Sequence, residues 1–237
     1  MHLIDTGIGQ PTVRTVHPGS TLVLGFQYAG KIERAQENTW ERLAPAGITG
    51  LQRVSQTFRD TEPTGSILAY VQPEDFSCLI PAHELTGRSL SLECLFPRSR
   101  LNQLQEQLQA SGSVSDRFNL VRQLLGERRA TGSSACLLAV DLIRKRARVT
   151  MKDLSKLTGI SSRQLQRLFL NQIGMSPMEF ARLVRFERTA QRLASGNTSA
   201  VEDYADQAHL IHDLKRRTGQ TPGQFSKAQK MSLSYNS

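Results

Sequence analysis

Ser162, Arg163, Gln166 and Arg167 stand at the spacing that puts side chains together on one face of a helix. Arginine can bond guanine bidentately and glutamine can do the same with adenine. Such a face can therefore read base edges in a major groove. A second set, Gln207, Ala208, Ile211 and His212, repeats the spacing 45 residues on and carries no arginine. Lys215, Arg216 and Arg217 follow it, placed to meet phosphates. A solvated helix face would explain either set alone, so the elements around them must decide.

Other chemistry is poorly supported. His209 and His212 lie three apart on a helix, a spacing open to a metal, but no nearby Cys completes a site. His83-Glu84 could form an acid/base pair, yet neither a nucleophile nor a third partner is visible. There is no Gly-rich phosphate loop. Cys78, Cys94 and Cys136 are far apart and form neither a zinc spacing nor a disulfide framework. The expectation is a protein that is not an enzyme and has no metal and no cofactor. No run approaches the roughly 20 apolar residues of a membrane span. Met1 to Asp5 lacks the basic-then-apolar start of a signal peptide. A cytoplasmic protein without a membrane partner is expected.

Charge points the same way. The net charge is +9. Residues 1–135 hold 13 Lys+Arg against 13 Asp+Glu, and residues 136–237 hold 17 against 8. The excess is confined to the basic C-terminal half, which suits a polyanion.

The elements that would carry the two sets are legible. Thr150 can cap a helix with Leu154 and Leu157 inward. Gly159 can take the left-handed turn that ends it. Ser161 with Gln164 forms a capping box for the next helix, whose Leu165, Leu168 and Phe169 face inward. Ser162, Arg163, Gln166 and Arg167 are left pointing out from its first turns, where a recognition helix meets bases. Ser176-Pro177 with Glu179 opens a long helix with Phe180, Leu183, Val184, Ala190 and Leu193 apolar. Its Arg182, Arg185, Arg188 and Arg192 fall off that face, either on phosphates or in solvent. Asp206 caps the second candidate helix, with Leu210 and Leu214 as its core. The passage Gly174 to Phe180 is repeated as Gly219 to Phe225.

Residues 136–227 resemble the two-unit DNA-binding domain of AraC/XylS-type bacterial transcription regulators. The matching text runs from Leu154 to Phe169, then Gly174 to Phe180, Arg182 to Phe186, Asp206 to Leu210, Leu214 to Arg216 and Gly219 to Phe225. The resemblance implies an all-α domain with two recognition helices in successive major-groove turns. It also implies a regulatory N-terminal domain, often a β-barrel that binds an effector or drives dimerisation. The second unit departs from the pattern. Asp203 stands where glycine is expected, and about one helical turn is missing before it. Only Ala200, Val201 and Tyr204 remain to pack there, so the first unit is expected to carry most base readout.

Upstream, Ser20–Phe26, Leu51–Phe58, Ser66–Val71 and Phe76–Ile80 read as strands of a sandwich or small barrel. Leu101, Leu104 and Leu108, then Val114, Phe118, Val121 and Leu125, mark two helix faces that suit domain packing or a dimer seam. Ala135–Arg146 reads as a helix with Leu137, Leu138, Val140, Leu142 and Ile143 buried.

The expected fold is α+β: a β-rich, sandwich- or barrel-like regulatory domain and an all-α domain with two helix-turn-helix units on a linker helix. The expected bounds are 1–97 for the regulatory domain, 98–134 for a helical connector and linker, 135–228 for the DNA-binding domain and 229–237 for a flexible tail. The expected function is a sequence-specific, DNA-binding transcription regulator, by resemblance an activator. Its expected partners are double-stranded DNA, RNA polymerase and a small-molecule effector, with a homodimer left open. The alternative is a ligand- or partner-binding module with a degenerate DNA-binding domain.

Overall fold

The computed structural model describes residues 1–76, 80–126, 132–146, 148–195, 203–204 and 206–234. The N-terminal part is antiparallel β. It comprises β1 (His2–Asp5), β2 (Val13–Val16), β3 (Leu22–Ala29), β4 (Ile32–Gln36), β5 (Thr39–Arg42), β6 (Ala46–Thr49), β7 (Gln56–Asp60), β8 (Gly65–Val71) and β9 (Ser89–Ser91). One sheet has the order β1-β8-β3-β6-β9 and the other β2-β7-β4-β5.

Alternation along the first sheet makes two distinct faces. Leu22, Leu24, Phe26 and Tyr28 of β3, Ile48 of β6 and Ile67, Ala69 and Val71 of β8 are buried in the main core. The intervening Val23, Gly25, Gln27, Thr49, Leu68 and Tyr70 turn instead to a cavity shared with the second sheet. The second sheet escapes a search for apolar runs because cross-strand ion pairs hold it. Arg59 meets Glu33 directly opposite it at 2.6 Å, and Arg34 meets Glu41 at 2.6 Å.

Two expected strands differ. The alternation at Leu51–Phe58 yields strand only from Gln56; the preceding residues form a loop against the C-terminal helices. Pro73–Asp75 is a 3-10 turn ending at Phe76, since Pro73 favours helical φ at its start. Ser77, Cys78 and Leu79 lie outside the described residues.

A short helix α1 (Ala82–Leu85) precedes β9, and α2 (Arg98–Ala110) and α3 (Val114–Leu125) follow it. Leu101, Leu104 and Leu108 are buried in the same core as β3. These leucines therefore pack on their own domain rather than forming a seam. Val114, in the first turn of α3, is 49% exposed and not part of that face. Arg117 of α3 pairs with Asp5 at 3.0 Å and stacks on the Tyr28 ring, pinning the helix to the sheet.

The C-terminal helices are α4 (Ser134–Lys145), α5 (Met151–Thr158), α6 (Ser162–Gln172), α7 (Pro177–Ala194), α8 (Gln207–Thr218) and α9 (Pro222–Ser234). In α4 the buried face is Cys136, Ala139, Val140 and Ile143, which leaves Leu138 48% exposed on the far side. Burial pushes the Cys136 thiol up to about 12, so it packs as a protonated apolar group. Within the expected connector and linker at 98–134, residues 127–131 lie outside the described residues.

The hydrophobic core is divided unevenly. A continuous cluster runs from the β-sheet through α2 and α3 into α4, α5, α6 and the first half of α7. A separate cluster holds Phe186, Leu214 and Phe225, with Ala190 and Leu193 against it. The first helix-turn-helix unit thus shares the core of the N-terminal domain, and the second has a small core of its own.

Candidate nucleic-acid interface and effector cavity

Local capping fixes the first unit. Thr150 Oγ1 accepts from the Asp153 amide, and the Asp153 carboxylate accepts from the Thr150 amide. Gly159 ends α5 at φ 69°, a left-handed conformation that costs an L side chain about 1–2 kcal/mol. Ser161 and Gln164 form the reciprocal box that opens α6. Leu154, Leu165 and Phe169 are fully buried, and the Ser155 and Ser162 hydroxyls meet at 3.0 Å where α5 and α6 cross. Leu157, expected inward, is 48% exposed, and Leu168 is only partly buried. With α5 spanning only two turns, the Leu154 side carries its packing.

Ser162, Arg163, Gln166 and Arg167 are all exposed on one side of α6. Neither arginine enters an ion pair among the described residues. Among the described residues their donors meet no acceptor, which leaves them to an external one. Lys152 and Lys156 of α5 are exposed too.

The second unit is built differently. Asp206 caps α8 by accepting from the His209 amide at 2.8 Å, and its carboxylate also meets His209 Nδ1 at 3.3 Å. Gln207, Ala208, Ile211 and His212 are exposed, while Leu210 and Leu214 are buried. Lys215 is exposed, and Arg216 is half exposed with one nitrogen on Asp213 at 2.7 Å. Arg217 is not presented on the outer face of α8 to a DNA backbone. It is 6% exposed, pairs with Asp213 at 3.2 Å and lies over the Phe186 ring.

A polar network surrounds Asp203 and Tyr204. The phenol of Tyr204 donates to Asp213 at 2.9 Å, and its backbone carbonyl accepts from Arg148. Arg185 stacks on the Tyr204 ring at 4.6 Å, and Arg192 pairs with buried Asp203 at 3.1 Å. Arg185 and Arg192 are therefore engaged inside the protein. Ala200 and Val201 lie outside the described residues. For the Asp213 carboxyl, burial pushes the pKa up, but Arg217, Tyr204 and Arg216 outweigh it and hold it below the usual range. Asp213 was not among the expected functional residues, although its spacing of three and four from Arg216 and Arg217 is visible in the sequence.

Both units touch the N-terminal domain. Gly174, at the exit of α6, has φ 91° and lies so close to α1 that a Cβ there would be 2.4 Å from the Ala82 carbonyl oxygen. The Thr86 hydroxyl donates to the Gly174 carbonyl at 2.8 Å. Arg144 of α4 bonds Gln72 and Glu74. At the second unit, the Ser55 amide and hydroxyl donate to the Arg217 carbonyl at 2.7 and 3.1 Å. Arg217 Nη1 returns a bond to the Arg53 carbonyl at 3.2 Å. The His17 ring lies 4.8 Å from that of Phe225, with Nδ1 2.8 Å from Ser55 Oγ.

Between the two β-sheets lies a cavity of about 290 Å³. Val16, Val23, Ile32, Phe58, Leu68 and Leu90 give it apolar walls. Arg14, Gln27, Glu41, Arg42 and Tyr70 are among its polar lining. Arg14 is tied to Asp60 at 2.7 Å, and Arg42 has no ion pair among the described residues. Burial raises the Tyr70 phenol, with Arg14 acting against it.

Residues 154–228 match the Helix-turn-helix domain family. The C-terminal region of this chain carries an AraC-type helix-turn-helix domain. The whole fold is similar to solved structures of ToxT from Vibrio cholerae. One, from strain O395 and bound to (E)-4-(8-methylnaphthalen-1-yl)but-3-enoic acid, has a TM-score of 0.54 at 9% identity, covering 96% of this chain and 98% of that one. Another ToxT structure gives 0.51 at 9%, covering 97% of each chain. The AraC-like transcriptional activator CuxR aligns at 15% identity over 84% of this chain and 82% of its own, with a TM-score of 0.29 that carries no fold argument. No curated protein matches the sequence. Among the described residues no helix is long and apolar enough to cross a membrane.

Proposed function

We propose that the protein is a sequence-specific, DNA-binding transcription regulator that acts in the cytoplasm as an activator. The observation that carries this reading is the outer face of α6. Arg163, Gln166 and Arg167 are presented without a partner among the described residues, on a helix whose start is fixed by a capping box and whose Leu165 and Phe169 are fully buried. Such pre-positioned donors suit base edges. On α8, Gln207, Ile211 and His212 form the corresponding outer face, with Lys215 and Arg216 toward phosphates. The first unit then supplies most of the sequence preference and the second mostly backbone contact.

The cavity between the sheets is the effector site in this reading. Its apolar walls and its arginine and tyrosine lining suit an amphipathic acid, the kind of compound bound in that ToxT structure. Its lining strands lead straight to the second unit. Val16 of β2 lines the cavity and the next residue, His17, packs on Phe225. Phe58 of β7 lines it too, and Ser55, just before that strand, holds Arg217.

Selection of binding sequences from random DNA, followed by anisotropy titration, tests the reading. The expected result is a recovered site and an affinity that falls linearly with log salt. Binding without sequence preference would instead favour a ligand- or partner-binding module whose DNA-binding domain is degenerate. Run-off transcription with RNA polymerase at the recovered site tests activation.

A further inference from the structure

We propose that a crevice between the domains, separate from the α6 face and from the β cavity, binds a compact multivalent anion built of phosphate or carboxylate oxygens. The crevice has a volume of about 250 Å³ and lies between the Gln52–Val54 loop and helices α7 and α8. Arg53, Arg182, Arg216 and Arg217 all line it. Against these four guanidinium groups stand two carboxylates, Glu179 and Asp213. Met175 and Leu183, both 1% exposed, make an apolar floor that strengthens charge–charge attraction above it.

The cations differ in a way that suits a ligand. Arg217 is held rigidly from behind by Asp213 and the Arg53 carbonyl. Arg182 is exposed and has no ion pair among the described residues. Arg53, over half exposed, reaches Glu179 with one long contact of 3.3 Å. Glu179 is already occupied by the Ser176 cap, so it loses little when Arg53 turns to a better acceptor. Charge-assisted, bidentate bonds to an oxyanion are stronger than this single contact. Since Arg53 comes from the N-terminal domain and the other three from α7 and α8, the bound anion would tie the domains together at the second unit.

The experiment is a thermal melt and calorimetric titration of the full chain with pyrophosphate and, separately, citrate, against chloride at matched ionic strength. A response to either supports the proposal, and the stronger responder names the oxyanion class. At about a hundredfold excess over Kd the midpoint should rise by about 5 °C or more. Arg53→Gln and Arg182→Gln, both exposed and so expected to fold, should each weaken affinity about tenfold or more. The double variant Arg163→Gln, Arg167→Gln should bind the anion as tightly as the parent while losing DNA preference. Amide exchange at 52–55 should slow on binding. No response beyond that of chloride overturns the proposal. So does a response that Arg163→Gln, Arg167→Gln abolishes, which would mark adventitious binding on the α6 face. Failure of DNA binding itself leaves this outcome unaffected.

Discussion

Asp213→Asn is the most revealing single change in the second unit. The carboxylate accepts from Tyr204 at 2.9 Å, from Arg216 at 2.7 Å and from Arg217 at 3.2 Å. Arg216 is half exposed and can turn to water. Arg217 has a side chain only 7% exposed and would keep just the Arg53 carbonyl and the Phe186 ring. Removing one partner of a buried pair costs about 3–5 kcal/mol. The amide oxygen of asparagine can still accept from Tyr204, so the lower end, about 3 kcal/mol, is expected. The cluster of Phe186, Leu214 and Phe225 is too small to absorb such a loss. The second unit should open locally before the rest of the chain. Urea unfolding followed by amide exchange in α8 would show it, along with weaker binding to a full DNA site and unchanged binding to a half-site. A stability change within about 0.5 kcal/mol, the range of ordinary surface substitutions, would refute the reasoning. Acid should mimic the variant. The folded Asp213 pKa is depressed, so its contribution is full above the unfolded value near 3.9 and is lost as pH falls through the folded value.

Arg163→Ala and Arg167→Ala should each cost about 1–3 kcal/mol of discrimination at particular base pairs. Lys215→Ala should weaken all sequences alike and lower the salt slope by about 1, and anisotropy across salt concentrations separates the two patterns. Gly174→Ala should destabilise the chain by about 1–3 kcal/mol more than Gly159→Ala. Both glycines have positive φ, but only Gly174 would drive a Cβ into α1, so equal denaturation midpoints would show that α1 yields freely. For His17, burial lowers the pKa below its ordinary 6.5. The unfolded chain then binds the proton more readily, so stability is full above that value and falls as pH drops toward the folded pKa. Melting midpoints measured over about pH 5–8 should fall at the acid end in the parent and much less in His17→Gln.

Legibility in the sequence follows locality. The capping boxes, the Gly159 turn and the outer face of α6 all involve residues within five positions of one another, and they were readable. Leu157 and Leu138 were misjudged because apolar type does not say whether a neighbour arrives to cover them. The strands β2, β4 and β5 were missed because Arg14, Glu33 and Arg34 stabilise them through partners on other strands, not through apolar alternation. Phosphate contact was expected of Arg217, and its burial depends on Tyr204, Phe186 and the loop at Arg53 together. No local pattern announces such an arrangement. The interdomain contacts of Ser55, Thr86 and His17 were illegible for the same reason: each joins residues more than 80 positions apart.

The uneven core gives the two units different mechanical roles. The first unit buries Leu154, Leu165 and Phe169 in the cluster that also holds Phe26 and Leu85, so it is effectively fixed to the N-terminal domain. The second is attached through hydrogen bonds and ring contacts at Ser20, His17, Arg53 and Ser55. Polar attachments of this kind exchange readily with water, and each contributes only about 0.5–1.5 kcal/mol net. A ligand need therefore supply only a few kcal/mol of differential binding to reposition α8 while α6 stays in place. The second unit is in that respect suited to being moved. A longer supporting helix would bury more apolar surface and hold it harder, whereas the Tyr204–Asp213–Arg217 network keeps α8 folded without enlarging the core that anchors it.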